Sequence, residues 1–207
     1  SDPFWHPRGK VLQAWGEIYR GQADAGEATA RLALDAMQTL GDASGAAAAG
    51  DILVGGQMLR GDYAGAAATL QRALALPRAA RSALERAISI GRMAVVNERW
   101  GKFDEALRWH YRSIAAARDA GDTAYEATAL GATGGLQLSL QNLDDAATLC
   151  EHAWQIVQAE GSDWTNTWSL VAMNWLMVLH FQQRHDEVLP LVDAIDAAEA
   201  RLPRSMA

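Results

Sequence analysis

Three observations predict that this 207-residue chain is all-α. Glycines stand at 21, 41, 61, 101, 121 and 161, all on one grid of twenty residues. The turns on that grid alternate between two chemistries, so the true period is near forty. The composition also favours helix, with 42 alanines against seven Phe and Tyr, and no proline between Pro77 and Pro190. Glycine with positive φ is a natural helix stop, so the grid predicts helices of about 16 to 18 residues parted by tight turns.

Ten helices in five pairs follow in chain order. A first helix over 8–20 ends at Gly21, and Gly21-Gln22-Ala23-Asp24-Ala25-Gly26 starts the second, 24–40. Gly41-Asp42 supplies a stop and an N-cap for 43–60. Gly61-Asp62-Tyr63-Ala64-Gly65-Ala66 leads into 63–76, which Pro77 ends. Ser82 with Glu85 fits a capping box that opens 82–99. Gly101-Lys102-Phe103-Asp104-Glu105-Ala106 opens 103–119, and its acidic first turn suits the helix dipole. Gly121-Asp122-Thr123, with Thr123 and Glu126 as a second capping box, opens 123–140. Gln141-Asn142-Leu143-Asp144-Asp145-Ala146 starts 143–159, and Gly161-Ser162-Asp163 starts 163–182. Gln183-Arg184-His185-Asp186-Glu187-Val188 starts 186–201, which places Pro190 in a first turn, where a missing N–H has no intrahelical partner to lose. Gln141 and Arg81 are the grid positions without glycine.

The domain reading is one repeat domain over 8–201, in units of about 8–41, 42–80, 81–120, 121–161 and 162–201. Residues 1–7 read as a lead-in, and 202–207 as a linker or the end of an expressed fragment.

Alternating helix pairs joined by Gly-x-aromatic-Asp/Glu-x-Ala, as in Gly101-Lys102-Phe103-Asp104-Glu105-Ala106, resemble tetratricopeptide (TPR) repeats. The resemblance runs from about residue 8 to 201 and is weakest in the first unit, where Ala23 and Gly26 replace the aromatic and the alanine. The repeat is about forty residues rather than thirty-four. That longer form is similar to repeats in bacterial LuxR-type regulators and repeat-containing diguanylate cyclases. The family's aromatic near the end of each first-of-pair helix is replaced by Gln57, Asn97 and Gln137. The resemblance implies a right-handed, TPR-like solenoid with a concave wall of first-of-pair helices, holding another molecule without catalysis.

Composition narrows the partners. A net charge of −7 argues against nucleic acid and anionic membrane surfaces. The longest apolar stretch, Leu170 to Leu179, is interrupted by Asn174 and too short to span a bilayer. The start, Ser1-Asp2-Pro3-Phe4-Trp5, has no signal-peptide pattern. The single cysteine, Cys150, suits a reducing compartment, so a cytoplasmic location is expected.

No motif predicts catalysis or a cofactor. Gly41-Asp42-Ala43-Ser44-Gly45 lacks the nucleophile-elbow spacing, and Gly131-Ala132-Thr133-Gly134-Gly135 lies inside a helix, where close packing explains it better than phosphate binding. None of the five histidines pairs with another four residues on, so no metal site is expected. Cys150 reads as a small core residue. Arg108, His110, Arg112 and Arg118 read as a solvated outer face.

Two patterns suggest a binding surface. Gln57, Asn97 and Gln137 recur at one phase and can form an amide ladder for a peptide backbone, or bond within their own units. Trp164, Trp168 and Trp175 make one stripe, with Trp154 nearby, which is either core or an aromatic wall for a small effector. Trp100 and Trp109 bracket a turn and read either way. Continuing the repeat, the groove face also takes Trp15, Tyr19, Asp51, Met58, Glu98, Arg99, Thr128, Leu138, Met173, Met177 and His180. With only Arg8 and Arg99 as inward cations, it does not resemble a carboxylate clamp. The leading expectation is a protein- or peptide-binding module in the sensory or regulatory region of a bacterial multidomain signalling protein. The alternatives are a small-molecule receptor at the tryptophan-rich end and a homodimerisation scaffold.

Overall fold

The computed structural model describes residues 5–75, 82–160 and 165–199. Among these the chain is all-α, with ten helices: α1 (Trp5–Tyr19), α2 (Ala23–Thr39), α3 (Ala43–Leu59), α4 (Tyr63–Ala75), α5 (Ala83–Arg99), α6 (Phe103–Ala120), α7 (Thr123–Ser139), α8 (Leu143–Glu160), α9 (Thr165–Phe181) and α10 (His185–Glu199). The expected stop at Pro77, the Gly161-Ser162-Asp163 turn, Arg81, Trp164 and the tail 202–207 lie outside the described residues.

The turns show why the grid exists. Gly21, Gly41, Gly61, Gly101 and Gly121 all have φ between 68° and 78°. Each N–H reaches back three residues, and the next N–H reaches back five, as in Gly61 to the Met58 carbonyl (3.0 Å) and Asp62 to the Gln57 carbonyl (2.8 Å). This Schellman pairing satisfies carbonyls that the helix end leaves free. The residue after the glycine then caps the next helix: carboxylates of Asp42, Asp62 and Asp122 accept from the N–H of Gly45, Gly65 and Tyr125. The Asp42 carboxyl also takes the Arg8 guanidinium at 2.9 Å, which with the Gly45 N–H holds it below the ordinary carboxylate range.

Gln141 and Gln183 make the same turns at φ of 64° and 58°. A residue with a Cβ is strained in that left-handed region by about 1 kcal/mol relative to glycine. Gln141→Gly and Gln183→Gly are each expected to raise the unfolding free energy by about 1 kcal/mol, read from the urea midpoint; a lower midpoint for both refutes this turn geometry.

Three local expectations need correction. At α7 the N-cap is Asp122, one residue before Thr123, and Glu126 pairs with Arg118 at 2.5 Å. Pro190 stands at the sixth residue of α10, in its second turn, where an N–H would have an intrahelical partner. His110 is 2% exposed and belongs to the interior, whereas Arg108, Arg112 and Arg118 are exposed. The Ser82–Glu85 capping box is present in full.

The chain forms two compact units, Ser1–Trp109 and His110–Ala207. In the first, successive helices α1 to α5 pack on one another, and α1 also meets α3. Its interior is built from small residues, with Ala14, Ala30, Ala33, Ala49 and Ala66 fully buried around Met37, Leu53, Leu70 and Met93. Trp109 packs half-buried on the Val54, Leu70 and Met93 cluster, and Trp100 is half-exposed with the Lys102 ammonium 3.2 Å from its ring centre. Arg60 joins the end of α3 to the start of α2 through Asp24 (2.8 Å) and Glu27 (2.5 Å), and Glu27 also takes Arg31 at 2.6 Å.

In the second unit, α7 packs on α8 and α9, α8 on α9, and α9 on α10. The glycines of α7 allow this approach. A Cβ on Gly131 would meet Val171 at 3.0 Å, one on Gly135 would meet the Asn174 amide at 2.9 Å, and one on Gly134 would overlap the Cys150 sulfur. Cys150 is fully buried, and burial pushes its thiol up to about 12, so it is an inert packing group.

Candidate functional site

The first-of-pair helices α7 and α9 flank an open groove of about 590 Å³ in the second unit. Its floor is small, from Gly135 and Ser139 of α7, and its α9 wall carries Asn174, Met177 and Phe181. Leu138, Gln141 and Leu143 close the end at the turn. Asn174 is fixed, because its Nδ2 donates to the Gly131 carbonyl at 2.9 Å across the two helices. Above this wall α9 leaves Leu170, Met173, Met177 and Phe181 exposed at 37%, 61%, 44% and 56%. They fall at i, i+3, i+7 and i+11, which places them on one stripe of the helix. The α9 sequence, Thr165 to Phe181, contains no Asp, Glu, Lys or Arg, and α7 contains one, Glu126, already held by Arg118.

The residues expected to face a groove divide into three sets. Leu138, Met173 and Met177 belong to this surface. Thr128 sits at its far end, where its hydroxyl meets the Thr167 hydroxyl at 2.8 Å, and His180 is exposed beside Phe181, with ring centres 5.6 Å apart. In the first unit, Trp15 and Tyr19 are exposed and stacked at 5.5 Å. Asp51 is half-buried and paired with Arg92 at 2.6 Å, Met58 packs on the Val54 cluster, Glu98 is half-buried and Arg99 is exposed.

The amides form no exposed ladder. Gln57, Asn97 and Gln137 are 4%, 6% and 4% exposed. Gln57 Oε1 accepts from the Thr69 hydroxyl at 3.1 Å, and Asn97 Nδ2 donates to the Met93 carbonyl at 2.8 Å. Gln137 donates to the Tyr111 hydroxyl at 3.1 Å and accepts from Asn142 at 2.8 Å. The reason is geometric: each stands four residues before its turn, on the last full helical turn, which faces the partner helix. There they fill, with internal hydrogen bonds, the place where TPR repeats carry an aromatic.

The tryptophans likewise build core. Trp154 and Trp175 are 8% and 5% exposed, and Trp168 lies against Trp154 with ring centres 5.6 Å apart. The Arg184 guanidinium lies 5.1 Å from the Trp175 ring centre. Trp154, Trp168 and Trp175 therefore do not line the groove, whose aromatic among the described residues is Phe181. Among the described residues no three of His, Cys, Asp and Glu gather into a metal-binding group.

Sequence reasoning missed Asn174, Ser139, Gly135 and Phe181 as groove residues. One signal was present: Asn174 is the lone polar interruption of the Leu170–Leu179 stretch.

No family model matches the chain, and no curated protein matches it by sequence. Solved structures do match by shape. TPR-like repeats from Podosopora anserina, assigned to a kinesin light chain, align with a TM-score of 0.70 at 13% identity, over 96% of this chain and 99% of theirs. The apo form of RapI aligns with a TM-score of 0.74 at 12% identity, over 95% of this chain but only 54% of RapI. A tetratricopeptide repeat protein from Parabacteroides merdae aligns at 0.58 and 14% identity, over 94% of this chain and 67% of its own. The fold is thus an all-α, TPR-like helical-repeat fold. No helix among the described residues is long and apolar enough to cross a membrane.

Proposed function

We propose that the chain is a non-catalytic interaction module whose α7–α9 groove takes an uncharged, apolar segment of a protein partner. The observation that carries this reading is the exposed stripe Leu170, Met173, Met177 and Phe181 beside a groove of about 590 Å³, on two helices almost free of charge. Contiguous exposed apolar surface of this kind marks interaction sites. Methionine, flexible and polarizable, adapts to partners of varied shape. A stripe at i, i+3, i+7 and i+11 offers a ridge against which an amphipathic helix packs its own apolar face. The TPR-like fold supports an interaction role, and the forty-residue repeat supports the regulatory region of a larger signalling protein as its setting.

The test is a selection of random peptides displayed on phage against the whole chain, followed by affinity measurement on variants. Selected peptides are expected to carry apolar residues at i, i+3 or i+4 and to lose at least tenfold in affinity on Met177→Glu and on Met173→Glu. Both side chains are exposed, so neither substitution removes core packing. Binding is also expected to change less than threefold between 50 mM and 500 mM salt, because no charge pair is screened. Peptides indifferent to both substitutions, or binding that collapses with salt, refute the assignment.

A further inference from the structure

A second cavity, of about 420 Å³, lies in the first unit, framed by α2 and α4 over α3. Its open apolar lining comes from the half-buried Leu34, Ala47 and Ala73 over a base of Leu53, Val54 and Leu70, and it exists because α3 supplies Ala46, Ala47 and Gly50 where longer side chains would fill the space. A Cβ added at Gly50 meets nothing within 4 Å. The volume falls in the range of small-molecule sites, about 300–1,000 Å³.

Four charged side chains stand at its mouth: Arg31, Asp35, Asp51 and Arg72. Arg31 is engaged by Glu27 at 2.6 Å and Asp51 by Arg92 at 2.6 Å. Arg72 has no carboxylate partner among the described residues; its Nη2 donates to the buried Thr69 hydroxyl at 3.3 Å, and that hydroxyl donates in turn to Gln57 Oε1 at 3.1 Å. Gln57 and Thr69 thus tether the guanidinium to the cavity wall. Asp35 and Arg72 are both exposed, so water screens both charges, and Arg72 is the one held to the cavity wall by a hydrogen bond. An arginine hydrogen-bonded to the wall of a pocket with an apolar lining suits a carboxylate, which a guanidinium binds through paired hydrogen bonds.

We propose that this cavity is a binding site for an amphiphilic monocarboxylate, its aliphatic or branched body against Leu34, Ala47 and Ala73 and its carboxylate on Arg72. The site is separate from the α7–α9 groove and does not depend on the function proposed for it.

The test is calorimetry of the whole chain with hexanoate, octanoate and decanoate below their aggregation limits, and with octylamine and decylamine. Affinity is expected to rise about fourfold per methylene, the yield of burying one CH₂. Arg72→Ala is expected to weaken decanoate at least tenfold, and Gly50→Leu to abolish binding by occupying the cavity. Gly50→Leu also removes a glycine from a helix interior, so its melting temperature is expected to rise by about 2–4 °C, which shows that it folds. Met177→Glu is expected to leave decanoate binding unchanged. Decanoate that binds Gly50→Leu as tightly as wild type, or is lost on Met177→Glu, overturns the site. Amines that bind as tightly as the carboxylates overturn the role of Arg72.

Discussion

Pro190→Ala is expected to stabilise the unit that carries α9 and α10 by about 2 kcal/mol, one of the two largest effects here. Pro190 is the sixth residue of α10, so the N–H it lacks is the one that would reach the Asp186 carbonyl. Proline inside a helix costs about 3 kcal/mol through that lost bond and the clash of its ring with the preceding turn. Its stiffness in the unfolded chain returns about 0.4–1 kcal/mol. The helix persists to Glu199 because Leu191, 5% exposed, anchors it in the core with Val188, Ala194 and Ile195 packed alongside. Pro190 itself is exposed, so alanine sacrifices no burial. Urea unfolding should show a higher midpoint with an unchanged slope, and heating a rise of about 4–8 °C. An unchanged or lower midpoint would mean that α10 breaks at this residue in solution.

Gly26→Ala is expected to act in the opposite direction, destabilising the first unit by about 1–2 kcal/mol although alanine is the better helix former. Gly26 lies in the first turn of α2 against α1. A Cβ there would overlap Ile18 Cγ1, stand 2.8 Å from the Ala14 carbonyl oxygen and 3.1 Å from the Ile18 nitrogen. A side chain can rotate away, but the two backbone atoms retreat only if α1 shifts, and overpacking of this kind costs about 1–3 kcal/mol. The propensity gain of about 1 kcal/mol offsets only part of that. Gly9→Ala is the control, since a Cβ at Gly9 meets nothing within 4 Å, and it should raise the midpoint. If both substitutions raise it, the close approach of α1 and α2 is wrong. This contact also accounts for the glycine at a position where other units carry alanine: a Cβ at Gly26 has no room against α1.

Helix number and turns were legible in the sequence because their causes are local. A stop glycine at positive φ, two backward hydrogen bonds and a capping carboxylate all lie within about eight residues, as in Gln57 to Gly65. A local signal also has local failure modes. The sequence pattern starts α10 at Asp186, one residue late, and Pro190 lies beyond the first turn from either start. Thr123 fits the N-cap pattern in sequence, whereas the N-cap is the preceding Asp122, whose carboxylate takes the Tyr125 N–H.

The binding surface was only half legible, and for a physical reason. A helix with one neighbour shows a polar face and an apolar face, but α3, α7 and α9 have neighbours on several sides and are apolar almost all round. Periodicity then cannot distinguish a residue that packs from one that lines a groove. Met173 and Trp175 are two residues apart on the same apolar helix, one 61% and the other 5% exposed. Gln57, Asn97 and Gln137 look like groove amides until the partners of their side chains are known. The sequence by itself determined the helices, their order and the turns between them, because hydrogen bonds within one turn encode each of these. Only the tertiary structure decided which apolar residues stay in water and where glycine and alanine leave space, because both depend on how side chains distant in sequence fill the gaps between helices.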